Sequence, residues 1–139
     1  MSRGLGDVYK RQQVTQGSAS AAAYDAINSA NATNKVSLPL IMDRNFNIFT
    51  GFSIANVGTQ STNVACTFSG TSYNIPSTAV APGASLTSVQ LNVISAGYVG
   101  SATCTATGGD AKIAGIVNQL TQGAPATTDA LLTYGAFNY

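Results

Sequence analysis

The sequence predicts an all-β fold, a sandwich of about seven or eight antiparallel strands preceded by an N-terminal tail. Three observations lead there. From Lys35 onward, short runs of β-branched and aromatic residues alternate with turn formers about every ten residues, the rhythm of a sandwich or barrel. No part of that stretch sustains the 3.6-residue period of an amphipathic helix. The chain has 139 residues, 45% hydrophobic and 8% charged, which suits one domain with a real core and a surface of Ser, Thr, Asn, Gln and Gly.

In chain order, Met1 to Gln12 (MSRGLGDVYKRQ) stands apart, because it holds Arg3, Lys10 and Arg11, half of the six bases. It resembles a translated sequencing-adapter tail and is set aside as a non-native leader, with an ordinary loose N-terminus as the alternative. On that reading the true start, with any export signal, lies upstream. Over Gln13 to Tyr139 the remaining three bases (Lys35, Arg44, Lys112) face four acids (Asp25, Asp43, Asp110, Asp129), so a formal charge of +1 becomes −1. Gln13 to Asn34 is rich in Ala, Ser and Asn, with only Val14, Tyr24 and Ile27 as larger apolar residues. It reads as an extended tail, or as a short helix over Ala21 to Ala30 capped by Ser18 or Ser20. Asn31-Ala32-Thr33 matches the N-glycosylation acceptor pattern.

Eight runs then read as strands. Val36 to Asp43 carries Pro39, which cannot donate to a ladder and argues for a sheet edge. Asn47 to Val57 aligns Ile48, Phe52 and Ile54, and Asn63 to Ser69 aligns Val64, Cys66 and Phe68. Thr71 to Ile75 reads as a short edge strand before Pro76. After the turn Ala81-Pro82-Gly83, Ser85 to Ile94 aligns Val89, Leu91 and Val93. Tyr98 to Thr107 aligns Ala102, Cys104 and Ala106. Gly108-Gly109 reads as a two-residue hairpin turn into Lys112 to Leu120. Ala130 to Tyr139 is the last strand.

Cys66 and Cys104 both fall on faces assigned to the core from their neighbours. A bridge between them would point to an oxidising compartment, and two buried free thiols are the alternative. Two cysteines without histidine do not complete a tetrahedral metal shell, so no metal and no cofactor is implied.

The composition excludes much chemistry. The chain has no His, Glu or Trp. No Ser-His-Asp or Cys-His arrangement can form. Paired carboxylates would have to come from isolated aspartates. Gly51-Phe52-Ser53-Ile54-Ala55 half-matches a nucleophile elbow but lies within a strand. Asp43-Arg44-Asn45-Phe46-Asn47 begins like a calcium loop, then places Ile48 and Ile54 where glycine and a bidentate Glu belong, so it reads as a turn. Lys and Arg are too sparse and scattered for nucleic acid or anionic lipid. No apolar run reaches the roughly 20 residues of a membrane-spanning helix, and no signal-peptide core is present.

Several motifs suggest a group. Leu38-Pro39-Leu40-Ile41, Phe49 to Gly58 with its Asn-Val-Gly turn, Ala81-Pro82-Gly83-Ala84-Ser85, Gly97-Tyr98-Val99-Gly100-Ser101-Ala102 and Ile116-Val117-Asn118 together resemble immunoglobulin-like β-sandwich modules of bacterial cell-surface and secreted proteins. The likeness covers Lys35 to Tyr139. It departs in lacking a Trp near Phe49 and in standing alone. The resemblance implies an immunoglobulin-like sandwich outside the cytoplasm, and it carries over no catalytic residue.

The functional expectation is therefore non-enzymatic, an extracellular structural subunit of a self-assembling filament or pilus-like fibre whose partners are copies of itself. Near-zero charge lowers the barrier to self-association, and an open sheet edge can accept a strand. The exchanged segment is the N-terminal tail (Val14 to Val36) or the C-terminal strand (Leu131 to Tyr139). Val14, Tyr24, Ile27, Val36, Leu131, Tyr134, Phe137 and Tyr139 are the candidate contacts. The alternative is a monomeric cell-surface adhesive module that binds carbohydrate through Tyr73, Tyr98, Tyr134, Phe137 or Tyr139. A hydrolase comes third.

Overall fold

The structure, a computed structural model, describes residues 11–16, 20–25, 29–124 and 131–139. Its strands are β1 (Arg11–Gln16), β2 (Ser20–Asp25), β3 (Lys35–Asp43), β4 (Ile48–Asn56), β5 (Thr62–Phe68), β6 (Asn74–Val80), β7 (Ser85–Gln90), β8 (Tyr98–Thr107), β9 (Ile113–Thr121), β10 (Leu131–Gly135) and β11 (Phe137–Asn138). A five-stranded sheet ordered β11-β3-β8-β5-β6 packs on a four-stranded sheet ordered β10-β9-β4-β7. Every pairing in both sheets is antiparallel, and the chain is an all-β sandwich.

Alternation builds the core. Val36, Leu38 and Ile41 on β3, Val64, Cys66 and Phe68 on β5, and Ala102, Cys104 and Ala106 on β8 face Phe52, Ile54, Ile113 and Val117 from the other sheet. Cys66 and Cys104 are bonded, and among the described residues no cysteine is free. A formed disulfide belongs to an oxidising compartment. It joins β5 to β8 within one sheet, whereas antibody domains bridge their two sheets.

Several expectations need correction. Strand β7 ends at Gln90 and turns Leu86 and Gln90 inward, leaving Val89 on the outside. The reading that aligned Val89, Leu91 and Val93 fails because the backbone at 92–94 is drawn out of the ladder by Asp43. Gly108-Gly109 is not a hairpin turn. It carries the chain from β8 in one sheet to β9 in the other, with both glycines at positive φ. Strand β6 begins at Asn74 and contains Pro76, which an edge strand tolerates. Pro39 sits in an irregularity, where the β3–β8 register slips between Leu38 and Ile41, and beyond the two β3 residues that β11 pairs, Val36 and Ser37, so β3 is an edge at that point as Pro39 suggests. The last run splits, β10 joining one sheet and β11 the other, with buried Ala136 at the crossing.

The tail is also revised. Ser20–Asp25 is a strand paired with Arg11–Gln16, so the helix expected over Ala21 to Ala30 does not form there. A helix would have offered only Tyr24 and Ile27 for burial, whereas pairing satisfies the backbone of both segments. A single 3₁₀ turn follows at Ser29–Asn31. Arg11 and Gln12, counted with the leader, pair with Asp25 and Tyr24, and the rest of the leader lies outside the described residues. Among the described residues no helix is long and apolar enough to cross a membrane.

Candidate functional site

Among the described residues, no three of His, Cys, Asp and Glu gather in a metal-binding group. The best-formed carboxylate is Asp43, at the end of β3. Its oxygens accept the backbone N–H groups of Asn92 (3.0 Å), Val93 (3.0 Å) and Ile94 (2.8 Å), and Arg44 Nε lies at 2.7 Å. Burial pushes the Asp43 pKa up, but the Arg44 contact and the three amides outweigh it and hold it below its ordinary 3.8. So engaged, the carboxylate anchors loops. Its own backbone carbonyl also accepts from Gly97 N at 2.9 Å. Apart from the Arg44 contact, the Asp43 oxygens point at the β7–β8 loop and not into the 43–54 segment. Ser53, in the elbow-like string, lies in β4 and shares a 2.7 Å hydrogen bond with Thr87.

Beyond Asp43 the chain makes the β3–β4 turn with Arg44, Phe46 and Asn47 at φ of 53°, 50° and 63°. The left-handed region is costly for a phenylalanine. Phe46 is 88% exposed at the tip. Gln122 N donates to Asn47 O at 2.8 Å, so the 44–47 and 121–124 segments are tied together at this end of the sandwich.

The four-stranded sheet changes character at the same end. Its register sets Leu131, Leu120 and Phe49 in one cross-strand row and Leu132, Gln119, Thr50 and Gln90 in the next. Alternation puts the second row on the core side with Val117 and Phe52 and the first on the outside. The usual sense is thus inverted, polar inside and apolar outside. Thr50 and Gln90 are fully buried, Thr50 Oγ1 accepts Met42 N at 2.9 Å, and Gln90 Nε2 donates to Ser88 Oγ at 2.9 Å. Gln90 Oε1 and Gln119 Nε2 are buried without a hydrogen-bond partner. On the outside, Phe49 and Leu120 are half-buried, and Leu131 is only 8% exposed although it points away from the core. Its neighbour Leu132, of core-side parity, is 59% exposed. Strand β2 runs beside β10, within 8 Å between Cα atoms, yet belongs to the separate β1–β2 sheet.

The candidate contacts from the sequence scatter around this region. Val14 lies in β1 and Tyr24 in β2, while Ile27 lies outside the described residues. Val36 is not tail but core, fully buried opposite Cys104, and is withdrawn as a contact. Leu131 belongs to the outward row. Tyr134 is half-buried with its hydroxyl on Leu40, Phe137 and Tyr139 are each 62% exposed, and Lys35 Nζ lies 5.6 Å from the centre of the Tyr139 ring. Of the remaining aromatics, Tyr73 packs on Phe68 and Tyr98 donates to Ser69 O, so both are internally committed. Asn31 is exposed, and the Thr33 hydroxyl of its tripeptide donates to backbone oxygens of Lys35 and Tyr139. Sequence reasoning missed the Asp43 anchor and the outward Phe49–Leu120–Leu131 row. The sequence does show Phe49 and Leu120 singly, as apolar positions out of phase with Phe52 and Val117, but not that they are neighbours.

No protein-family model matches the chain, and no curated protein or solved structure matches it either.

Proposed function

We propose that the chain is a subunit of an extracellular, self-assembling filament or pilus-like fibre, built on a module of the immunoglobulin-like kind found in bacterial cell-surface and secreted proteins. One observation carries this reading: the β1–β2 hairpin is a sheet of its own that joins neither sheet of the sandwich, yet runs beside β10. A peripheral element of this sort is the usual currency of exchange between copies, and a head-to-tail exchange builds an open chain. Strands β10 and β11 complete their own chain's sheets, so the hairpin is the better exchanging segment. The scarcity of charge removes repulsion between copies, and the disulfide suits secretion or the cell surface. Negative-stain microscopy and sedimentation of the purified full chain over a range of concentrations test it. Fibres are expected; monomers alone at high concentration, with the hairpin intact, would overturn it.

Carbohydrate adhesion is the second reading, favoured by the exposure of Phe137 and Tyr139 on one side of the β11–β3 pair. Glycan-array binding that disappears in Phe137→Ala and Tyr139→Ala would support it.

A further inference from the structure

The two sheets of the sandwich have four edges, and among the described residues three of them are obstructed to an incoming strand. On β6, Pro76 offers no N–H and the β5–β6 register slips between Val64 and Cys66. On β3, beyond the short β11, Pro39 also lacks an N–H, the Tyr134 hydroxyl takes both backbone groups of Leu40, and Thr50 Oγ1 takes Met42 N–H. Strand β10 has β2 alongside it. The fourth edge, β7, has no such obstruction. Its residues Ser85–Gln90 include no proline and no charge, and its register with β4 runs unbroken from Ser85 to Gln90.

Backbone direction decides what that edge offers. Asn56 N donates to Ala84 O at 2.9 Å, so along the ladder Ile54–Leu86, Phe52–Ser88 and Thr50–Gln90 are the bonded pairs. The opposite side of β4 agrees, since Val57 N donates to Lys112 O and the bonds to β9 alternate with those to β7. The N–H and C=O groups of Ser85, Thr87 and Val89 therefore point away from β4, and all three residues are exposed. A row of free donors and acceptors is a template for strand addition.

We propose that β7 pairs antiparallel with β7 of a second copy, about a two-fold axis at Thr87, so that two four-stranded sheets become one. A second copy is the occupant because the edge is self-complementary. In this register Thr87 faces Thr87 of the partner subunit and Ser85 faces Val89 of the partner subunit, so every outward group of the edge is bonded. A shift of two residues strands Ser85 or Val89, and a shift of one sets outward side chains against inward ones. No charge stands in β4, β7, β9 or β10, so these sheets do not repel across the axis. An isologous contact closes at two chains, so the pairing is separate from head-to-tail growth and does not rest on the filament reading.

Full-length single-site variants test this under mild oxidation, with Cys66 and Cys104 bonded and buried. Thr87→Cys puts two thiols opposite each other at the axis, with Cα atoms about 5.5 Å apart and within disulfide reach. Val89→Cys separates them along the pair by about 13 Å, beyond reach. A covalent dimer from Thr87→Cys and none from Val89→Cys is expected, and any other pattern would overturn the pairing. Thr87→Lys sets like charges against each other at the axis. The dissociation constant from sedimentation is expected to rise at least about tenfold, while the melting temperature of the monomer stays within a few degrees of the parent. Ser77→Lys, exposed on β6, should leave the dissociation constant unchanged. Amide hydrogen exchange at Ser85, Thr87 and Val89 should slow as concentration rises, while Leu86, Ser88 and Gln90 are slow throughout. A parent that stays monomeric, or a dimer indifferent to Thr87→Lys, would overturn the pairing. Fibres that form without the Thr87→Cys cross-link would overturn it too and leave the filament reading standing.

Discussion

Cys66 on β5 and Cys104 on β8 stand directly opposite one another with Cα atoms 4.1 Å apart, so the disulfide joins nearest neighbours within one sheet and lies wholly in the core. That separation is the close spacing of a non-hydrogen-bonded antiparallel pair. The bond spans 38 residues of chain, for which loop entropy gives about 4 kcal/mol. We expect Cys66→Ala, Cys104→Ala, or full reduction, to lower the melting temperature by roughly 10–20 °C. Thermal melts with and without reductant check this. A change below a few degrees would mean that the ladder, not the bond, holds β5 to β8.

Asp43 sets an acid limit on stability. Its folded pKa lies below its ordinary 3.8, so the charged form is favoured by folding. The contribution is complete above the unfolded pKa and is lost as pH falls through the lowered folded value. Asp43→Asn cannot accept from three amides or pair with Arg44, and should cost about 2–4 kcal/mol at pH 7. Denaturant midpoints of parent and variant, measured from pH 7 down to about pH 2, should converge as Asp43 is protonated. A pH-independent gap would contradict the charge-based account.

The Asn-Val-Gly turn has a specific job. Buried Asn56 donates from Nδ2 to the carbonyls of Gln60 (2.8 Å) and Val80 (2.9 Å), and its Oδ1 accepts Gly58 N (2.9 Å). Gly58 is needed because a Cβ there would fall on the Asp110 carbonyl oxygen. Gly58→Ala should therefore cost about 2–3 kcal/mol by overpacking against backbone. Asn56→Ala should cost a similar amount by stranding three backbone groups. Equilibrium unfolding of both variants tests this, and a neutral Gly58→Ala would mean that the 57–60 and 109–111 segments separate easily.

The strands were readable from the sequence where alternation and burial agree, as at Val64, Cys66 and Phe68 or Ala102, Cys104 and Ala106, because a fully buried face leaves one register. They were misread where a side chain outside the strand decides the matter. Val89, Leu91 and Val93 alternate correctly, but the Asp43 carboxylate captures the amides at 92–94 and ends β7 at Gln90. Gly108-Gly109 announces a turn but cannot say whether the chain returns to its own sheet or crosses to the other. The Phe49, Leu120 and Leu131 row was invisible as a surface, since three apolar residues on three strands become neighbours only once the register is known.

Tyr134 and Leu40 show how the sandwich closes over its own irregularity. Between Leu38 and Ile41 the β3–β8 register slips, and Leu40 turns to the other sheet instead. The Tyr134 hydroxyl, from β10, accepts Leu40 N–H at 3.2 Å and donates to Leu40 O at 2.6 Å. Tyr134→Phe keeps the ring and removes both bonds, leaving a partly buried N–H and C=O without them, at a cost of about 2 kcal/mol. The melting temperature should fall by roughly 5–10 °C. Burial raises the Tyr134 pKa, the Leu40 bond lowers it by less, and the net value lies above 10.0. Folding therefore favours the neutral phenol, a contribution present below the unfolded pKa and lost as pH rises through the raised folded one. The gap between parent and Tyr134→Phe should accordingly be constant from pH 6 to about pH 9 and narrow beyond about pH 10. A gap that widened with alkali would mean that the phenolate, not the phenol, is the bonded form.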